Sequence, residues 1–211
     1  MNILLHICCA PCAIYPIETL KKAGHQIAGY FYNPNIHPYS EYIKRKLELE
    51  KFAKESGVNV IFADYDLENY FQYIVYNEAA ATAKETRCPA CWWMRLEKAA
   101  AFAKENGFEA FTTTLLGSPY QDQDVIKDIG TDIAKRFGLT FYFEDFRKGF
   151  KAARDLAKSK GMYLQNYCGC VFSEKERIEA KALEKSGKSE KGGKAVTLSV
   201  KGSKKKIICS M

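Results

Sequence analysis

Seven of the chain's eight cysteines stand in three tight groups, Cys8-Cys9-x-x-Cys12, Cys88-x-x-Cys91 and Cys168-x-Cys170. Clustered thiols in a chain with no export signal point to metal ligands rather than to structural disulfides. Redox-active disulfide chemistry is the competing use. Four thiolates complete an iron–sulfur cubane, and four complete a structural zinc, so seven exceed what one centre needs. A second metal, or spare catalytic thiols, is implied. Neighbouring residues on an extended chain project in different directions, so Cys8 and Cys9 are expected to serve two adjacent centres rather than one ion. Cys168 and Cys170 share a side only if the backbone between them is extended. The eighth, Cys209, stands alone and reads as a free or structural thiol.

The scaffold for these thiols is legible in the hydrophobic pattern. With 211 residues, 47% of them apolar, the chain can bury a full core. Apolar runs at Ile3–Ile7, Ile27–Tyr32, Val58–Ala63, Ala110–Leu115 and Thr140–Phe143 each precede a loop and then a helical pattern. That alternation predicts an α/β fold, a mostly parallel sheet with helices on both faces. Gly24, Gly57, Gly107 and Gly138 punctuate the helix ends. The stretch Asp64–Thr86 reads as a helical insertion.

In such a sheet ligands collect beyond the carboxyl ends of the strands, where Cys8-Cys9-Ala-Pro-Cys12 falls after the first run. No glycine-rich phosphate loop is present there, which weakens a nucleotide reading. Either Pro11 or Pro16 begins the next helix. With Pro89 as a first helical residue, Cys88 becomes a cap and Cys91 lies one turn on, gathering both sulfurs at a helix N-terminus. Trp92 falls on the buried face of that helix.

Charge is concentrated at the C-terminal end. Residues 174–211 hold eleven Lys plus Arg and five Glu, a net of +6, against twenty-one and twenty, a net of +1, in residues 1–173. This division predicts a body at 1–173 and a basic appendage at 174–211. Within the appendage, 195–200 and 204–209 flank a glycine-containing turn and read as a β-hairpin. Its positive field suits phosphate without naming a nucleic acid. The N-terminus carries no basic leader, and no run approaches membrane-spanning length, so a cytoplasmic setting without a membrane partner is expected.

Specific motifs recur in a fixed order: Leu5-His-Ile-Cys-Cys-Ala-Pro-Cys12, Asn33-Pro-Asn-Ile-His-Pro38 with Glu41, Tyr42 and Arg45, Arg87-Cys-Pro-Ala-Cys91 with Arg95, Thr113-Thr-Leu-Leu-x-Ser-Pro-Tyr-Gln121, Asp145-Phe-Arg147 and Tyr167-Cys-Gly-Cys-x-Phe-Ser173. In these the chain closely resembles the cobalamin-independent epoxyqueuosine reductases, over residues 5–173. The resemblance implies a fold related to the adenine-nucleotide α-hydrolase group, with cysteines in place of the phosphate loop. It also implies a 4Fe-4S cluster beside a mononuclear iron, an external electron donor, and removal of the epoxide oxygen of epoxyqueuosine at the wobble position of transfer RNA.

On that resemblance Cys88, Cys91, Cys168 and Cys170 are expected to hold the cluster, and Cys8, Cys9 and Cys12 the second iron. The departing oxygen must be protonated, which makes His37, Tyr42, Tyr120 and Tyr167 candidate donors. Asn33, Arg45, Arg95, Gln121 and Arg147 are candidate substrate binders, guanidinium being matched to phosphate, although buried ion pairs are another use for such arginines. Asp145 and Asp124 either orient such groups or cap a helix. Two other classes fit parts of the pattern: a zinc-stapled RNA-binding module without catalysis, and a thiol–disulfide oxidoreductase built on Cys88-x-x-Cys91.

Overall fold

A computed structural model describes residues 1–76 and 84–189; the predicted hairpin at 195–209 lies outside them. Five strands alternate with helices: β1 (Asn2–His6), α1 (Ala10–Lys22), β2 (Gln26–Phe31), α2 (Tyr39–Ser56), β3 (Val60–Phe62), α3 (Leu67–Tyr76), α4 (Lys84–Glu105), β4 (Ala110–Thr113), α5 (Gln123–Phe137), β5 (Thr140–Phe141), α6 (Phe150–Ser159) and α7 (Val171–Ser189). Every strand pairing is parallel, in the order β3-β2-β1-β4-β5. Parallel neighbours need a crossover each, and the intervening helices supply it.

Those crossovers cover both faces. One apolar cluster joins Leu96, Ala99 and Ala103 of α4 with Ile126, Ile129 and Ile133 of α5 over Phe111. The other joins Ala13 and Ile17 of α1, Leu49 and Phe52 of α2, and Ala157 of α6 over Leu5 and Phe31. Tyr30, Phe31 and Tyr32 are core, as is Trp92. All four punctuating glycines adopt positive φ. Both Gly57 and Gly138 close their helices in the left-handed conformation, which costs a residue without Cβ little.

The strand order reverses direction of growth at β1, with β2 built to one side and β4 to the other. Loops leaving β1 and β4 therefore part to opposite faces and open a crevice at their carboxyl ends, the usual place for a ligand in a sheet of this kind. Cys8 and Cys9 lie at that point on one side, and Thr113 and Thr114 on the other.

One local expectation is corrected, and one open alternative is resolved in favour of Pro11. Helix α4 begins at Lys84, so Pro89 is interior and the Cys88-x-x-Cys91 pair is not at a helix N-terminus. Proline sits six residues in, where its ring removes only the bond to the Glu85 carbonyl; the hydrophobic face further along carries the helix past that loss. In α1 Cys9 is the cap, Pro11 lies in the first turn and Pro16 is interior.

Candidate metal centre

The sheet sets the first sulfur group. As β1 gives way to α1, extended Cys9 turns the chain, and the Sγ atoms of Cys8, Cys9 and Cys12 come within 4.8 Å of one another. Cys8 and Cys9 Sγ are 3.7 Å apart. The expectation that these neighbours would diverge toward separate centres is overturned, because a strand-to-helix turn rather than a continuing strand lies between them.

Polar groups surround this trio. Thr114, at the end of β4, accepts from the Cys8 N–H through Oγ1 at 3.1 Å and donates its hydroxyl to Cys8 Sγ at 3.3 Å. The side-chain amide of Gln165 donates to Cys9 Sγ at 2.8 Å and to Cys12 Sγ at 3.2 Å. Hydrogen bonds with Cys12 and Cys9 hold the Cys8 thiol well below its usual range, with Arg95 and Thr114 acting the same way against burial. Burial first, and then its thiol neighbours, push Cys9 up.

Beneath it lies His6, fully buried. Its Nε2 is 3.1 Å from the Tyr32 carbonyl, which can only accept, so Nε2 carries the proton and Nδ1 accepts from the Thr113 hydroxyl at 2.9 Å. Burial, aided by Arg95, lowers the His6 pKa to about 3.

The second sulfur group comes from α4 and the turn before α7. Cys168 and Cys170 Sγ are 3.7 Å apart around Gly169, and Ser173 reaches both sulfurs, Oγ at 3.0 Å from Cys168 and N–H donating to Cys170 at 3.3 Å. The thiols of Cys88 and Cys91 both feel the charge of Cys168. Burial pushes Cys88 up to about 11, whereas the hydrogen bond with Cys170 holds Cys168 down at about 5. Arg87 keeps the two elements together. Its Nη2 meets Glu176 Oε1 at 2.6 Å, and its guanidinium lies 4.6 Å over the Phe172 ring.

Arginines also tie this turn to the sheet. Arg45, 2% exposed, donates Nε to Glu41 at 2.8 Å and its other nitrogens to the carbonyls of Cys168 at 3.0 Å and Tyr167 at 3.1 Å. Arg95 donates to Asn33 at 2.8 Å, and Asn33 in turn to the Ile7 carbonyl at 2.8 Å. Thus Asn33, Arg45 and Arg95, three of the candidate substrate binders, direct their polar atoms inward. Arg147 is half-exposed and forked on Asp145, which also caps the Arg147 N–H. Gln121 is half-buried in the loop after β4.

The candidate proton donors separate by exposure. His37 is buried beside Tyr70 and Phe71, with ring centroids at 5.0 and 5.1 Å, and burial lowers its pKa. Tyr167 spends its hydroxyl on the His37 carbonyl. Tyr42 is buried against Tyr65 at 4.2 Å. Tyr120, 77% exposed, packs edge-on to Phe150, which with Tyr15, Phe146, Arg154 and Gln165 lines a cleft leading to Cys12. Gln165, Thr114 and His6 were not singled out from sequence. His6 and Thr114 fall inside the recurring motifs without a role of their own there, Gln165 falls outside them, and only the fold brings Thr114 and Gln165 beside the thiols.

Among the described residues no helix is long and apolar enough to cross a membrane. A solved structure described as a predicted subunit of tRNA methyltransferase from Methanocaldococcus jannaschii aligns over 74% of each chain with a TM-score of 0.47 at 15% identity. Among curated relatives, Epoxyqueuosine reductase QueH of Thermotoga maritima is 39% identical over 187 residues, 86% of this chain and 94% of that one. The protein of that name from Histophilus somni is 41% identical over 175 residues, 82% of this chain and 72% of its own. A Staphylococcus aureus counterpart is 35% identical over 198 residues, 89% and 82% respectively. The family model for Epoxyqueuosine reductase QueH matches residues 3–176, a span that contains every thiol of both sulfur groups. With the Cys8–Cys9–Cys12 trio at the switch point of a parallel sheet and that match running through all seven clustered thiols, the chain belongs to the epoxyqueuosine reductase QueH family.

Proposed function

We propose that this chain reduces the epoxide of epoxyqueuosine, at the wobble position of transfer RNA, to the alkene of queuosine, with a 4Fe-4S cluster and a mononuclear iron held by its two cysteine groups. Two electrons from an external donor and two protons enter, and the oxygen leaves as water. No cobalamin is called for. The observation that carries the reading is the convergence of Cys8, Cys9 and Cys12 within 4.8 Å at the carboxyl end of β1.

The donor set fits. Soft thiolates select iron–sulfur centres and zinc over hard cations. Two sulfurs bound tetrahedrally at about 2.3 Å stand about 3.8 Å apart, close to the 3.7 Å between Cys8 and Cys9. We assign that trio to the single iron and Cys88, Cys91, Cys168 and Cys170 to the cluster. When bound, the two centres supply single electrons and an electrophilic site for the epoxide oxygen.

The protein's own residues then bind and orient. Tyr15, Phe146 and Phe150 line a largely apolar passage to Cys12, and the Tyr120 ring, packed against Phe150, offers a face on which an unstacked base can rest. Arg154 lines that passage and Arg147 directly follows Phe146 of its lining, and we assign both to anticodon phosphates. Tyr120 is the candidate donor with an exposed ring, and we assign the substrate contact to it. Residues 1–173 form the catalytic body in this reading, and the basic 174–211 segment, net +6, attracts the polyanion. A transfer RNA substrate places the reaction in the cytoplasm.

Anaerobic reconstitution with iron and sulfide, reduction, and mass analysis of nucleosides from epoxyqueuosine-containing transfer RNA test it. A brown protein that removes one oxygen mass from the nucleoside is expected. Colourless zinc-loaded protein, or an unchanged nucleoside, overturns the reading.

A further inference from the structure

Arg95 links the frameworks of both sulfur groups. Its Nη1 stands 4.0 Å from Cys91 Sγ, Nη2 donates to Asn33 Oδ1 at 2.8 Å, and Asn33 Nδ2 donates at 2.8 Å to the carbonyl of Ile7, the residue before Cys8. One continuous chain of contacts therefore runs from the α4 cysteines to the β1 cysteines through a single cation.

That cation is buried, 4% exposed, and its Nε has no hydrogen-bond partner among the described residues. Three other arginines near the site have carboxylates: Arg45 has Glu41, Arg87 has Glu176 and Arg147 has Asp145. Arg95 has none among the described residues. A guanidinium does not lose its proton in a protein, and a buried charge without a counter-ion is expensive. It contacts Cys91 on its own helix and the amide of Asn33, and its charge is felt by Cys8 after β1, Cys168 before α7, neutral His6 on β1 and the Tyr32 phenol after β2. Thiolates are the anions within reach, and they come from both groups.

We propose that Arg95 is the shared counter-charge of the two metal centres, a positioning residue that keeps the cluster reducible. This rests on the iron–sulfur reading above. A fixed positive charge stabilises the more negative, reduced cluster, so its removal favours the oxidised form. The planar fork explains why arginine rather than lysine stands here, since one nitrogen can hold Asn33 while another faces sulfur.

The test is an EPR-monitored redox titration of the anaerobically reconstituted full-length chain, with iron and sulfide counted. In Arg95→Gln the oxidised-to-reduced ratio at a fixed poise should rise at least about tenfold, which for one electron is about 59 mV. Arg95→Lys, which retains charge, should stay nearer wild type. Asn33→Asp sets a carboxylate against the guanidinium and should shift the ratio in the same direction as Arg95→Gln. Unshifted midpoints in Arg95→Gln and Asn33→Asp, with a normal wild-type cluster, overturn the assignment alone. So does an equal shift in Arg95→Lys and Arg95→Gln, or loss of the cooperative thermal transition in both Arg95→Gln and Asn33→Asp, which would make Arg95 a scaffold group. A wild-type chain that takes up no iron or sulfide sinks the functional reading and this assignment together.

Discussion

Gln165 places its side-chain nitrogen 2.8 Å from the sulfur of Cys9, across a separation of 156 residues. The same nitrogen is 3.2 Å from Cys12, so one amide steadies two of the three thiols. Groups that orient metal ligands are worth about 10–100-fold in affinity. Gln165→Leu should therefore weaken iron binding at the Cys8–Cys9–Cys12 site by that order while leaving sulfide content unchanged. Chelator competition followed by iron and sulfide assays measures both.

Gly169 turns the chain between Cys168 and Cys170 at φ 123°. A Cβ there would stand 2.8 Å from Ile36 Cγ1 and 3.3 Å from Arg45 Nη1, so both backbone conformation and space exclude a side chain. Gly169→Ala should cost about 1–3 kcal/mol. It should also displace the Cys168 carbonyl from Arg45 and reduce sulfide content. Urea unfolding and sulfide assay of the same preparation test the pair of effects.

His6 gives the iron-free fold a defined acid sensitivity. Its pKa is about 3 when folded, against 6.5 for the free side chain, so the unfolded chain binds the extra proton below pH 6.5. The stabilisation from keeping His6 neutral is present above that pH and is lost as pH falls toward 3, at about 1.4 kcal/mol per unit for this group. His6→Asn should flatten that slope. Urea midpoints of wild type and variant between pH 6.5 and 4 give the comparison, and parallel slopes would remove His6 as the cause.

Tyr120 is 77% exposed at the mouth of the cleft, so its removal leaves the core intact. Loss of a stacking face is worth about 1–3 kcal/mol per base. Tyr120→Ala should raise KM for epoxyqueuosine-containing transfer RNA about tenfold or more, with Tm unchanged. Tyr120→Phe separates the ring from the hydroxyl: full kcat in that variant would exclude the hydroxyl as proton donor.

The alternation of apolar runs and glycine stops determined the parallel sheet with helices on both faces, because strand and helix periods and φ > 0 positions are local properties of the chain. Cysteine spacing likewise determined that sulfur would gather in groups, since residues three apart at a turn cannot separate far. Where those groups point was not local. Cys8 and Cys9 converge because β1 stops between β2 and β4 and turns into α1 there, a consequence of strand order. Pro89 became interior because tertiary packing of α4 outweighs one missing hydrogen bond. Gln165, Thr114 and His6 joined the site, and Arg95 came to lie between its halves, only because the 160s turn, the end of β4 and the middle of α4 close on one rim. Spacing along the chain fixes which atoms can be neighbours within a turn; neighbours a hundred residues apart are chosen by the burial of apolar faces on the sheet, which no short stretch of sequence records.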